Sequence, residues 1–170
     1  MTTTDPAAEG TVRWLTAEEQ SAWRGLQRMQ AHLAGMLSRD LSARSGLSLP
    51  DYTVLVVLSE QPDGRMRSFE LGRELGWEKS RLSHHVARMA NRGLLRREKC
   101  PSDQRGLFIS LTPLGRTELE QAAPGHVEAV RQNFVDLLTP LQLRSLSEIA
   151  ERVVESLDEQ CRKETEGSLA

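Results

Sequence analysis

Between Lys79 and Asn91 the chain strings together Lys79, Ser80, Arg81, His84, His85, Arg88 and Asn91, interrupted at helical intervals by Leu82, Val86 and Met89. Projected at about 100° per residue, the three apolar side chains fall within about 60° of one another. Ser80, Arg81, His84, Arg88 and Asn91 take the opposite face. A helix divided this way sinks its apolar stripe and turns a donor-rich, cationic side outward. An α-helix fits the roughly 12 Å major groove of duplex DNA, where arginine can donate two hydrogen bonds to guanine O6 and N7. Arg81, His84 and Arg88 form the expected groove-facing set, with Arg81 and His84 nearest the bases. Ser80 and the free N–H groups of the first turn suit a phosphate. His85 joins this set from the helix flank, beside Arg92. The plainer alternative is a solvated polar face, which most surface helices have.

A second cluster lies twelve residues on, in Pro101-Ser102-Asp103-Gln104-Arg105-Gly106, a polar stretch between two apolar runs. Arg105 is expected at the tip of a hairpin loop. A narrow minor groove, with its enhanced negative potential, draws in such an arginine. Asp103 could brace Arg105, or Arg96 and Arg97 at the strand base. A simple turn is the alternative.

Charge distribution favours a polyanion. From Arg65 to Arg116 the chain holds twelve Lys and Arg against five Asp and Glu, while the rest holds ten against nineteen. A basic segment inside an acidic chain reads as a polyanion-binding module on an acidic scaffold.

The elements that must position these residues follow from periodicity and capping. Thr16-Ala17-Glu18-Glu19 reads as a capping box opening a long helix with Ala22, Leu26, Met29, Leu33, Met36 and Leu37 at helical spacing, closing near Gly46. Ser48-Leu49-Pro50-Asp51 starts a second, strongly apolar helix. Ser68 is expected to cap a short third helix with Phe69, Leu71 and Leu75 inward. Gly76-Trp77 separates it from the fourth, which stops at Gly93. Two short helices joined by a glycine-containing turn make a helix-turn-helix, whose second member enters the groove. Strands over 94–99 and 107–111 follow. Thr112-Pro113 opens a fifth helix, expected to kink or break at Pro124-Gly125. Thr139-Pro140-Leu141-Gln142 caps a sixth, carrying Leu146, Ile149, Val153 and Leu157. The expected fold is mostly α with a small β-hairpin wing, a winged helix-turn-helix plus a helical dimerisation layer.

The stretch KSRLSHHVARMANRGLLRREKCPSDQRGLFISLTPLG resembles the recognition helix and wing of the MarR (multiple antibiotic resistance regulator) family. Gly93-Leu94-Leu95, Asp103-x-Arg105 and Leu111-Thr112-x-x-Gly115 carry the resemblance, which in helix order extends over about residues 16–160. It implies a homodimer binding a pseudo-palindromic operator on double-stranded DNA. Arg105 would then enter the minor groove, with Asp103 as its acidic partner, and the first, fifth and sixth helices would form the dimer interface. The implied organisation is a disordered tail at 1–13, a dimerisation helix at 14–47 and a DNA-binding domain at 48–112. Dimerisation helices at 113–162 and a disordered tail at 163–170 complete it. Relatives in the family bind small aromatic or phenolic ligands in a crevice, for which Met29, His32, Leu33, Met36 and Tyr52 would be the lining residues; read as residues alone, they suit a helical core.

Residue physics independently asks for a partner, since long amphipathic terminal helices cannot cover their own stripes. No run of eighteen apolar residues suggests a membrane span. The first ten residues lack the features of a signal peptide, so a cytoplasmic, nucleoid-associated location is expected. No Gly-rich phosphate loop, GxSxG, HExxH or CxxC occurs, so no enzyme, metal or cofactor is expected. Neighbouring His84 and His85 diverge by about 100°, a poor chelating geometry. Cys100 stands beside Arg96, Arg97 and Lys99, which could lower its pKa. A redox- or metal-responsive regulator, an activator, or a protein-interaction module remain the alternatives to a ligand-responsive repressor.

Overall fold

The computed structural model describes residues 12–100 and 103–167. The chain divides into two units, Met1–Met36 and Leu37–Ala170. Helix α1 (Ala17–Ser45) supplies the described part of the first unit and runs into the second. Its start is the anticipated box: the Thr16 N–H donates to Glu19 Oε2 at 2.8 Å, and the Glu19 N–H donates to Thr16 Oγ1 at 3.2 Å. In the second unit α1 ends where Gly46 turns into the left-handed region at φ +70°.

Helix α2 (Leu49–Ser59) follows, then β1 (Arg65–Arg67), α3 (Ser68–Leu75), α4 (Lys79–Asn91), β2 (Leu95–Cys100), β3 (Asp103–Leu111), α5 (Pro113–Asn133), a 3₁₀ turn (Val135–Leu137) and α6 (Pro140–Gly167). The sheet is antiparallel in the order β1-β3-β2. Its register sets Met66 opposite Ile109 on one side and Arg97 opposite Ile109 on the other. A single apolar core joins α2, α3, α4 and α5 to the sheet. Val54, Leu55, Leu58, Leu71, Leu82, Met89, Leu94 and Ile109 are buried in it, with Leu41 and Leu47 closing one end. Among the described residues no helix is long and apolar enough to cross a membrane.

Several elements depart from the sequence expectation. Strand β1 was not anticipated, because three residues, Arg-Met-Arg, carry no alternation long enough to read. Ser68 is the first helical residue rather than the cap. Arg67 holds the cap position, where its backbone N–H donates to Glu70 Oε2 at 3.2 Å. Phe69, expected inward, is 61% exposed, because two residues of helix, about 200°, separate it from the buried Leu71. Helix α5 passes unbroken through Pro124. A proline costs the helix one donor, and the buried Ala122 and Ala129 on either side hold the rod together. The strands run further than expected, so Asp103 and Arg105 belong to β3 rather than to a loop, and only residues 101–102 separate β2 from β3. Helix α6 continues to Gly167, past the boundary at 162 drawn from composition. The expected tail at 1–13 lies almost wholly outside the described residues.

The Leu111-Thr112-x-x-Gly115 motif has a clear mechanical role. Helix α4 ends in a left-handed Gly93 (φ +77°), with the Leu94 N–H reaching back to Met89 O at 3.1 Å and the Gly93 N–H to Ala90 O at 2.9 Å. The Thr112 hydroxyl donates to Gly93 O at 2.7 Å and accepts from the Gly115 N–H at 2.9 Å. One threonine thus caps α5 and ties it to the end of α4. Gly115 packs so close that a Cβ there would sit 2.2 Å from Leu94 O. Gly115→Ala is therefore expected to destabilise the fold by about 3 kcal/mol, the upper range for overpacking against backbone. Urea denaturation should show a lower midpoint at an unchanged slope; a wild-type midpoint would mean that α5 can shift freely.

Candidate nucleic-acid interface

Helices α3 and α4 meet across a tight turn. Gly76 is left-handed at φ +61°, the Gly76 N–H donates to Arg73 O at 3.1 Å and the Trp77 N–H to Gly72 O at 2.8 Å. That turn swings α4 across the core so that Leu82, Val86 and Met89 are buried, as the helical projection requires. Lys79, Ser80, Arg81, His84, Arg88 and Asn91 lie exposed on the other side. The single apolar stripe thereby decides which way the charged residues face.

His85 does not belong to that outward set. It is buried, only 7% exposed, so its placement among the DNA-facing residues is corrected. The reason is a buried partner on α2. Nε2 lies 2.9 Å from Asp51 Oδ1, at an oblique angle that falls short of a well-aligned hydrogen bond. On its other edge Nδ1 lies 2.9 Å from the Arg88 guanidinium. Arginine can only donate, so Nδ1 carries the lone pair, and the ring proton sits on Nε2 towards the carboxylate. Trp77 meets the His85 ring edge-on at 5.1 Å, and the Arg81 guanidinium lies over Trp77 at 4.4 Å.

Asp51 is the hub. It is 5% exposed. Its Oδ2 accepts from Arg92 at 2.7 Å and from the Ser48 N–H at 3.1 Å, while the Asp51 N–H donates to Ser48 Oγ at 3.2 Å. Burial pushes the Asp51 carboxyl upward, but the hydrogen bonds from Arg92 and Ser48 outweigh it and hold it below the ordinary carboxylate range. His85 is pulled below the ordinary histidine value, first by burial and then by the positive Arg88 and Arg81, against the opposing pull of Asp51. From sequence Asp51 was legible only as part of a helix cap and Trp77 only as a break. Their joint role needed the fold, which brings residues 51 and 92 together across 41 positions.

On the sheet, Arg65 and Arg67 stand over the Phe108 ring at 5.2 and 5.5 Å. Arg96 approaches Glu98 at 3.4 Å, and the Ser110 hydroxyl donates to Glu98 at 3.3 Å. Arg97 and Lys99 are exposed. Asp103 and Arg105 are placed by backbone only. Their side chains, with those of Cys100 and Cys161, lie outside the described residues.

Of the expected ligand-lining residues, Met29 and His32 are exposed and Leu33 and Met36 half-buried in the first unit, whereas Tyr52 is buried in the second. Tyr52 packs its ring 4.3 Å from that of His126, whose Nδ1 is buried with no hydrogen-bond partner among the described residues. Burial also lowers the pKa of His126, against a contrary pull from Asp40. Within the second unit a groove of about 870 Å³ separates Val154, Leu157 and Asp158 of α6 from Phe69, Trp77 and Lys79. Among the described residues no group of three or more His, Cys, Asp and Glu could hold a metal ion.

Residues 45–106 match the family model described as MarR family. Over 87% of this chain and 99% of the other, it is 43% identical to AbsC, a MarR family transcriptional regulator from Streptomyces coelicolor, at a TM-score of 0.81. Sco3205, a MarR family transcriptional regulator from the same organism crystallised in complex with DNA, is 47% identical over 85% of this chain and 94% of that one, also at a TM-score of 0.81. The HTH-type transcriptional repressor YetL of Bacillus subtilis (strain 168) is 29% identical over 114 residues, 65% of this chain and 68% of YetL.

His85 and His126 both sit below the ordinary histidine value, so on acidification the unfolded chain takes up protons before the folded one. Their contribution to stability is complete above about pH 7 and is lost as pH falls from about 6.5 towards the depressed folded values. Asp51, lowered likewise, keeps its contribution until well below that window. Urea midpoints measured from about pH 7.5 to about pH 5.5 should fall on acidification; a constant or rising midpoint contradicts this.

Proposed function

The chain belongs to the MarR family of transcriptional regulators, and from that premise we propose that it is a ligand-responsive repressor that binds a pseudo-palindromic DNA operator as a homodimer in the cytoplasm. The observation that carries the reading is α4 itself. Its apolar side is locked into the core, and Arg81, His84 and Arg88 face outward beside Ser80. The likeness to Sco3205, which was crystallised with DNA, supports a duplex as the partner. Arg81 and Arg88 would read base edges, His84 a base or phosphate, and Ser80 with the first-turn N–H groups a phosphate. Arg105, on the strand next to the β2–β3 connection, would enter the minor groove with Asp103 as its brace.

The homodimer is proposed from surplus apolar surface. On α6, Leu141, Ile149, Val153, Val154 and Leu157 are all more than half exposed within the protomer. So are Trp14 and Trp23 in the first unit. A monomer that left these stripes in water would hold long helices with nothing to stabilise them. Two copies related by a twofold would present their α4 helices about 34 Å apart, one turn of DNA. For the ligand, the Tyr52–His126 pair offers an aromatic wall and one unsatisfied nitrogen, a combination suited to a small aromatic acid. Repression rather than activation would follow where the operator overlaps a promoter.

Selecting bound duplexes from a random pool tests the reading, and should return an inverted repeat. Affinity for it should fall steeply with salt as counterions are released. Arg81→Ala is expected to cost about 1–3 kcal/mol and to relax base preference at one position of each half-site. Selection that returns no common sequence, or binding that ignores salt, would remove sequence-specific DNA recognition. Val153→Asp should shift the chain from dimer to monomer in sedimentation, because an unpaired charge is costly to bury. An intact folded dimer would place the interface elsewhere.

A further inference from the structure

We infer that His85 and Trp77, anchored on Asp51, are positioning residues that hold Arg88 and Arg81 ready for base reading, with His85 releasing Arg88 when it takes up a proton. The inference rests on α4 being the DNA-reading helix and adds how its arginines are aimed.

The geometry is a chain of contacts from the core to the surface. Asp51 is fixed by the Ser48 cap and by Arg92. His85 stands against Asp51 on one edge and accepts from Arg88 on the other. Trp77 meets the His85 ring edge-on, and the Arg81 guanidinium lies over Trp77. A free arginine side chain gives up rotamer freedom when it is ordered on a base. Holding both guanidiniums before DNA arrives removes part of that cost and narrows the base edges each can reach.

The hold on Arg88 depends on one lone pair. Protonation places an N–H on Nδ1, facing a guanidinium that can also only donate. The charged groups around the ring are Asp51 from α2 and Arg88 and Arg81 from α4, with Arg92 behind Asp51. Burial first, then Arg88 and Arg81 against the contrary pull of Asp51, hold the ring below the ordinary histidine value. In mild acid the ring charges, Nδ1 ceases to accept and Arg88 swings free. Contacts to phosphates elsewhere on the protein do not depend on this bond. Discrimination between sequences should therefore fall while plain duplex affinity is kept.

The experiment compares two duplexes of equal length at fixed ionic strength: one carrying the sequence this chain selects from a random pool, the other scrambled. As pH is lowered from about 7.5 through the depressed folded value of the ring, the wild-type affinity ratio should fall, by about tenfold once the ring is charged, the worth of one arginine–base contact. His85→Gln can still accept from Arg88 but does not titrate, so its ratio should stay near the wild-type value and flat with pH. His85→Ala should lose about tenfold at pH near 7.5, and adding His85→Ala to Arg88→Ala should cost nothing more. Because His84 also faces the groove, every protein compared carries His84→Gln, so that His85 is the one imidazole left to titrate on α4. Nitrogen-15 spectra of the imidazoles, independent of DNA, should show His85 protonated at Nε2. A flat wild-type ratio, a His85→Gln variant that still responds to pH, or a ring protonated at Nδ1 would overturn the inference. A flat ratio with salt-dependent duplex binding sinks only the positioning role. No salt-dependent binding in the wild type sinks the DNA reading with it.

Discussion

A carboxylate taken out of water has to be met on every side. A buried charge without partners costs several kcal/mol. Asp51 is therefore the residue whose needs arrange its neighbours. Its backbone and one oxygen close the capping box with Ser48 and fix where α2 begins. The same oxygen draws Arg92 from the end of α4, and the other oxygen faces His85 about two turns earlier on that helix. Two points on one helix tied to one carboxylate define its rotation about its own axis, which apolar packing alone leaves looser. The apolar stripe chooses which face of α4 is outward, and this pairing narrows its rotation further.

Much of that frame could be read from sequence, and the reasons are particular. The stripe of Leu82, Val86 and Met89 has no competing interpretation at helical spacing, and it set the face of Arg81, His84 and Arg88 correctly. Capping boxes at Thr16, Ser48 and Thr139 are local, so three residues suffice to see them. What escaped was non-local. His85 looks like its neighbour His84 in sequence, yet 100° of helix rotation separates a surface side chain from one in contact with α2. Strand β1 is three residues long and exists because β3 lies beside it. Pro124 is a strong local breaker overruled by the packing of Ala122 and Ala129. Asp103 and Arg105 rest on the family pattern, since the backbone alone is described there.

The second organising constraint is the close approach at Gly115. Helix α5 can lie against the β2 start only because no Cβ stands between it and the Leu94 carbonyl. Thr112 then uses one hydroxyl on both sides of that contact. The end of α4, the first residues of β2 and the start of α5 are thus one mechanical joint. A displacement of α5 has no slack in which to be absorbed, because backbone rather than a flexible side chain is on the other side. The joint couples the helix that leads away from the winged-helix core to the helix that reads.

Among the described residues the core that fixes α4 draws on residues 41 to 122 and holds none from α6. Helix α6, 28 residues long, keeps its apolar side exposed within the protomer. At 1.5 Å per residue it extends about 42 Å, more than a domain of this size can cover. The two halves of the chain consequently answer different questions. The inner core and the Asp51 cluster decide what one α4 presents. The uncovered stripes decide what it is presented alongside. Under the dimer proposed here, a ligand or a mutation acting on the stripes would alter half-site spacing while leaving each reading head intact. A change at His85 would do the reverse, because His85 and its partners lie on α2, the α3–α4 turn and α4 of a single protomer.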